Sequence, residues 1–204
     1  MALNKTRPLA TAVEQVAVPC ADLLRDLEQG DATTRRHAAR DLIACPGASA
    51  ALVDRLLRED DRPVRDVIVT SLTRLGDPVA VSGLVECLRS DDAGLRNAAI
   101  EALKQLPDAV APIIEGLLAD ADADVRIFAV NVLESLRHPG VEAWLVAVID
   151  ADVHVNVCAT AVDLLAEVGS DAAVEALVRL QNRFDHEPYI QFAAGLALKR
   201  IRGC

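Results

Sequence analysis

Aromatic side chains are nearly absent. Three Phe, one Trp and one Tyr make up 2% of 204 residues, which excludes a core of stacked rings or a sheet of bulky residues. Apolar residues still reach 52%; most are Ala, Leu and Val, a mixture suited to closely packed helices. No run approaches the roughly 18 apolar residues of a membrane helix, so membrane insertion is not expected. Positive charge is in deficit. Twenty-one Lys and Arg against 31 Asp and Glu leave a net charge of −10, which makes duplex nucleic acid a poor partner. The five cysteines, Cys20, Cys45, Cys87, Cys158 and Cys204, are odd in number, far apart and never in a CxxC. A disulfide framework is therefore not expected, and the cytoplasm is the simplest address. Cys204 reads as an exposed thiol. There is no Ser-His-Asp pattern, Gly-rich phosphate loop or HExxH. Glu14 and Gln15 interrupt the apolar part of the N-terminus, which lacks a signal-peptide core. Residues 1–20 read as a leader, loose or forming a capping helix.

What is present is a repeat. The stretch DADVRIFAVNVL from Asp122 has Val three on, Arg four on, Ala seven on and Leu eleven on. The same template recurs from Asp31, Asp61 and Asp92, a period of 30 or 31. A fixed period in this range marks a stacked array of supersecondary units. Each copy opens on an aspartate suited to cap a helix N-terminus, and its apolar positions mark one helical face. Before each copy lies a shorter apolar-periodic segment, at 48–59, 78–90, 108–119 and 140–150. Breakers sit at the junctions: Pro46-Gly47, Gly76-Asp77-Pro78, Pro107-Asp108 and Pro139-Gly140. The unit is thus helix, turn, helix, turn. The expected architecture is an all-α, right-handed α-solenoid of about six helix pairs over residues 21–202.

Two repeats depart from the template. In the fifth, anchoring on Asp152 puts Asn156 in the arginine column, whereas anchoring on Leu165, Val168 and Gly169 puts Cys158 there and implies a two-residue insertion. The sixth keeps Ile190, Ala194, Leu198 and Ile201 with Gln191 in place of Arg.

The D-x-x-V-R-x-x-A-x-x-x-L helix following a paired helix resembles HEAT repeats, in the short 30-residue form of phycobilisome-lyase-type HEAT-like proteins. The resemblance covers residues 21–202. It implies that the Val-Arg helices line a concave surface. It also implies that Arg35, Arg65, Arg96 and Arg126 join a ladder between repeats, with Asp31, Asp61, Asp92 and Asp122 beside them. Resembling proteins include chromophore lyases, their chaperone-like subunits and many protein-binding scaffolds.

The arginine column reads either as an anion site or as cations neutralised by turn aspartates. Asp120, Asp122 and Asp124 resemble the start of an EF-hand loop, but Val125 and Asn131 stand where it needs Gly and Glu, so helix capping is expected instead. Positions five, nine and twelve of each second helix should face away from the stack. They hold Arg36, Arg40 and Ile43, then Asp66, Thr70 and Thr73, then Asn97, Glu101 and Lys104, then Ile127, Asn131 and Glu134, then Ala159, Asp163 and Ala166, and finally Phe192, Leu196 and Lys199. The face runs from basic through polar to apolar, with Ile127, Phe192 and Tyr189 forming either a contact patch or a cover over the end of the core. Trp144, on a first helix, reads as packing. The function expected is a non-enzymatic scaffold or adaptor binding another protein, without a cofactor. The alternative is a lyase-like or chaperone-like factor for a tetrapyrrole, metal or iron-sulfur centre. It would be centred on His154 and Cys158, four apart, with Cys45, Cys87 or His186 contributing; any enzymatic activity would then be chromophore attachment.

Ala38, Ala99 and Ala129 at position seven let neighbouring helices approach. Replacing Ala99 by Leu should overpack the stack and lower stability by roughly 1–3 kcal/mol in urea unfolding. An unchanged midpoint would contradict the proposed stacking face.

Overall fold

A computed structural model describes residues 19–203. The leader expected at 1–20 falls almost wholly outside that range, as does Cys204. Twelve repeat-forming helical arms make six antiparallel pairs. They are α1 (Cys20–Gln29) with α2 (Ala32–Asp41), α3 (Ala48–Leu56) with α4 (Arg62–Leu75), and α5 (Pro78–Cys87) with α6 (Ala93–Lys104). Then come α7 (Pro107–Val110) and α8 (Ile114–Leu118) with α9 (Ala123–Leu133), α10 (Val141–Ala151) with α11 (Val155–Val168), and α12 (Val174–Arg183) with α13 (Pro188–Ile201). No strand occurs among the described residues. The chain is an all-α solenoid of helix pairs.

The second helices of the first four repeats start where the template puts an aspartate. Asp31 accepts from the Thr34 amide at 2.8 Å, Asp61 from Val64 at 3.1 Å, Asp92 from Gly94 at 2.7 Å and Asp122 from Asp124 at 2.9 Å. The carboxylates satisfy amides that have no partner inside the helix. Gly76 closes α4 at φ 56°, a left-handed conformation that costs glycine little.

The second helices form an unbroken column, α2 against α4, then α6, α9, α11 and α13. Its contact positions are small or apolar. Ala99, Ala129, Ala161 and Ala194 are completely buried, as are Ile68, Leu72, Leu103 and Leu165. Ser71 is buried as well, and its hydroxyl donates to the Ala39 carbonyl at 2.9 Å, so no polar atom is stranded between α4 and α2.

The first helices form a column that is broken once. The expected helix at 108–119 is two short pieces, because Pro112 stands in its middle. Proline has no amide to give the fourth residue back, and its ring collides with that residue's carbonyl. Helices α3 and α5 pack closely, as do α10 and α12, but among the described residues no comparable packing joins α8 to α10. The buried positions Ala80, Leu84, Cys87 and Leu88 of repeat three correspond to Val141, Leu145, Val148 and Ile149 of repeat five. On that register Gly83 corresponds to Trp144. A Cβ at Gly83 would run into the Val53 side chain of the preceding repeat. The same contact between repeats four and five is made by Trp144, whose Nε1–H donates to Glu115 at 3.0 Å. A glycine lets one pair of first helices close; an indole props the other pair apart.

The fifth repeat takes the second register, the one that suits its apolar face better, since α11 begins just after His154 and Cys158 stands in the arginine column. One expectation needs correction. Cys20 and Cys45 form a disulfide, with their Cα atoms 5.8 Å apart. Helices α1 and α2 are antiparallel, so the start of one lies beside the end of the other, a proximity that sequence spacing does not reveal. Such a bond contributes about 3–4 kcal/mol by restricting the unfolded chain and persists in oxidising compartments. It removes the ground on which a cytoplasmic address was expected. Among the described residues no helix is long and apolar enough to cross a membrane.

Replacing Gly83 by Val should cost roughly 1–3 kcal/mol through overpacking. A Cβ at Gly116, in α8, would meet nothing within 4 Å, and Gly116→Ala should stabilise by up to about 1 kcal/mol. Chemical denaturation of both variants checks the contrast; equal effects would show that the first-helix column is not packed as described.

Candidate functional site

Two surfaces follow from this stacking, an inter-repeat edge at the turns and the open face of the second helices. At the edge, Arg35, Arg96 and Arg126 work in two directions, and Arg65 reaches forward. Arg35 donates through Nε and Nη2 to both oxygens of Glu59, at 2.7 and 2.8 Å, and through Nη1 to the Gly30 carbonyl. Arg65 reaches Asp92 at 2.6 Å. Arg126 grips Asp152 with Nε and Nη2, at 2.6 and 3.1 Å, while Nη1 holds the Asp120 and Ala121 carbonyls. Arg96 binds the Ser90 carbonyl at 2.6 Å and lies over the Phe128 ring of the next repeat. Its natural acid, Asp120, is taken by Arg89 at 2.5 Å.

The aspartates therefore divide differently from what the resemblance implied. Asp92 both caps its helix and meets the preceding arginine, whereas Asp31, Asp61 and Asp122 are caps. The forward acids are Glu59 and Asp152, each two residues before a second-helix cap. In this position Glu59, Ser90, Asp120 and Asp152 each accept the cap residue's own amide. A polar residue recurring two before each cap was readable in the sequence, but its partner one repeat away was not.

Where the column loses arginine, another side chain fills the gap. Arg183, from the end of α12, donates to the Ile149, Asp150 and Asp152 carbonyls and approaches the Cys158 sulfur at 3.5 Å. Gln191 donates to the Gln181 and Phe184 carbonyls at 2.8 and 3.0 Å, and Gln181 returns a bond to Gln191. Arg35 and Arg126 spend most of their donors on carboxylates and carbonyls, which ties one repeat to the next.

His154 and Cys158 stand in different surroundings. His154 is an exposed cap residue outside the helix, while Cys158 is fully buried and donates to the Asp152 carbonyl at 3.3 Å. Burial pushes its thiol upward in pKa against the pull of Arg183. Cys87 is also buried, which pushes its thiol up to about 11, and Cys45 is in the disulfide. His186 is exposed beside Asp185. Among the described residues no cluster of three His, Cys, Asp or Glu side chains is placed to hold a metal.

The second-helix face is open along the array. Arg36, Arg40, Asp66, Asn97, Glu101, Glu134 and Phe192 are exposed and Asn131 is half-buried. Arg40 pairs with Asp41 at 2.8 Å. Lys104 bridges Glu101 and Glu134, at 3.2 and 2.9 Å, and so ties repeat three to repeat four. Grooves of about 540 and 580 Å3 run between α4 and α6, sharing Asp66, Val69, Ala98 and Glu101. A smaller one of about 210 Å3, between α9 and α11, has Glu134, Asp163 and Glu167 on its walls. Ile127 does not join an apolar patch, because it is half-buried and packs on the core. The patch lies instead on α13, where Phe192 is 68% exposed with Tyr189 and Leu196 on the same face. The Tyr189 hydroxyl donates to Asp163 of the preceding repeat, at 2.8 and 2.9 Å.

A continuous column of second helices, a ladder at the turns and an open graded face define a repeat solenoid. More particularly, the chain belongs to the HEAT-repeat family: the HEAT repeats model matches residues 21–104 and 110–199. No curated protein matches it. Among solved structures it is similar to the complex of CpcE and CpcF of phycocyanin lyase from Nostoc sp., at 20% identity over 99% of each chain with a TM-score of 0.40. It is also similar to a designed armadillo repeat protein in complex with a (KR)4 peptide, at 21% identity over 90% of this chain and 100% of that one, TM-score 0.47. Human deoxyhypusine hydroxylase matches at 18% identity over 91% of this chain and 85% of that one, TM-score 0.46.

Glu59 is the ladder residue most open to test. Its side chain is 1% exposed. Burial alone would raise its pKa, but hydrogen bonds from Arg35, Arg55 and the Asp61 amide outweigh this and hold it at about 2. A free glutamate titrates near ~4.3. The stabilisation is therefore fully present above about pH 4.3 and is lost as the pH falls through about 2. Glu59→Gln should lower stability at pH 7 by roughly 3 kcal/mol, because two arginines lose their acid. It should also flatten the acid limb of the stability profile. A variant with the same acid limb as the parent would remove Glu59 from the ladder.

Proposed function

We propose that this HEAT array is a non-enzymatic scaffold whose second-helix face, the concave face of such arrays, binds an extended segment of another protein. The observation that carries the reading is the exposed Tyr189, Phe192 and Leu196 stripe on α13, in a chain with only five aromatic residues. Every other second helix shows a mainly polar stripe at the same positions. Large exposed apolar residues beside polar grooves are the usual anchors of interfaces. A face already held rigid by the ladder loses little conformational entropy when a partner is laid along it.

The charge sequence along the face gives the partner a direction. An apolar side chain meets Phe192 and Leu196. Basic residues follow, opposite Asp163, Glu167 and Glu134. Acidic residues reach Arg36 and Arg40 at the other end. Capture on a random peptide array should select that order. Phe192→Ser should weaken the selected peptides at least tenfold, consistent with loss of a central anchor, and Arg40→Glu should shift preference at the acidic end only. Peptides without this order, or unchanged binding by both variants at unchanged helicity, would overturn the reading.

A further inference from the structure

On the opposite column lies a second site. Because Trp144 and Glu115 hold the first helices of repeats four and five apart, a groove of about 690 Å3 opens between α8 and α10. Leu118, Ala147, Val148 and Ala151 line it with Trp144. Val153 stands at the rim, 84% exposed. The indole is fixed on both sides, by His138 stacked on it with centroids 4.7 Å apart and by Glu115 on its nitrogen. A concave, largely apolar space of this size with one ordered aromatic wall is typical of a small-ligand site.

Its polar wall is one-sided. The groove includes Glu115, Asp120, Asp152 and Arg126. Arg126 makes four hydrogen bonds, to Asp152 and to the Asp120 and Ala121 carbonyls. The Trp144 N–H is spent on Glu115. The donors are engaged, whereas each carboxylate retains lone pairs beyond the bonds it accepts. A ligand here must bring donors, and Glu115, Asp120 and Asp152 against Arg126 and the Arg89 that pairs with Asp120 leave the wall one charge negative, which favours a positive ligand.

We infer that this groove binds a small amphipathic cation, with a flat apolar body against Trp144 and Val148 and an ammonium or amidinium group directed to the carboxylate wall. The site owes nothing to the peptide face, since no second-helix face residue lines it.

Trp144 is the sole tryptophan of the chain, so its fluorescence reports on the groove directly. The test is titration with 4-phenylbutylamine, 4-phenylbutanol and 4-phenylbutyrate at neutral pH. The expected result is a saturable change with the amine, a response at least tenfold weaker with the alcohol and none with the acid. Ala151→Leu places bulk in the groove at an exposed helix position and should abolish the amine response without changing helicity. Glu115→Gln should weaken the amine while leaving the alcohol unchanged. Equal responses to all three probes, no saturable response, or an amine response that survives Ala151→Leu would each overturn the inference.

Discussion

A pair of helices thirty residues long cannot bury its own apolar stripe, so every repeat of this array depends on the one beside it. Removal of that stripe from water is worth about 25 cal/mol per Å2, and it is gained only at interfaces between repeats. Burial is non-directional and would tolerate sliding. The arginine column supplies direction: a guanidinium that must reach a carboxylate of the next repeat admits one register. Arg35 with Glu59, Arg65 with Asp92 and Arg126 with Asp152 are variants of one clamp. The substitutes in later repeats satisfy the same backbone carbonyls from different places in the sequence. What is kept is the occupancy of the site, while the residue that occupies it changes.

The two columns have separate roles. Second helices carry alanine at their crossings and lie close together, which leaves their outer face regular enough to serve as a graded track. First helices carry the irregularities. Pro112 breaks one of them, Gly83 lets another approach its neighbour, and Trp144 wedges a third away. Both candidate binding surfaces come from this division, one from regularity and one from its failure.

The period, the capping aspartates, the helix pairs and the arginine column were legible in the sequence because each is a local pattern multiplied by the repeat. The break at Pro112 was legible in principle, since an interior proline has a local effect. Other features depend on what stands one repeat away. Glu59 became a ladder acid only when Arg35 and Arg55 were placed around it. Ile127 sits at an outward template position yet is half-buried by its neighbours. Cys20 and Cys45 meet because two helices are antiparallel, and nothing near either cysteine announces the other. Trp144 read as packing because an aromatic on a first helix usually is; the missing knowledge was that its counterpart two repeats earlier is glycine.

The broken first-helix column also sets how the molecule flexes. An array with one continuous spine and one gap behaves like a spring with a single soft coil. Bending is expected to concentrate where α8 and α10 meet chiefly through the Trp144–Glu115 hydrogen bond, about the unbroken line of α6, α9 and α11. Opening or closing the gap changes the curvature of the face on the other side of that spine. Anything seated in the space beside Trp144 would act as a shim, and the thickness of the shim would set the curvature of the opposite face.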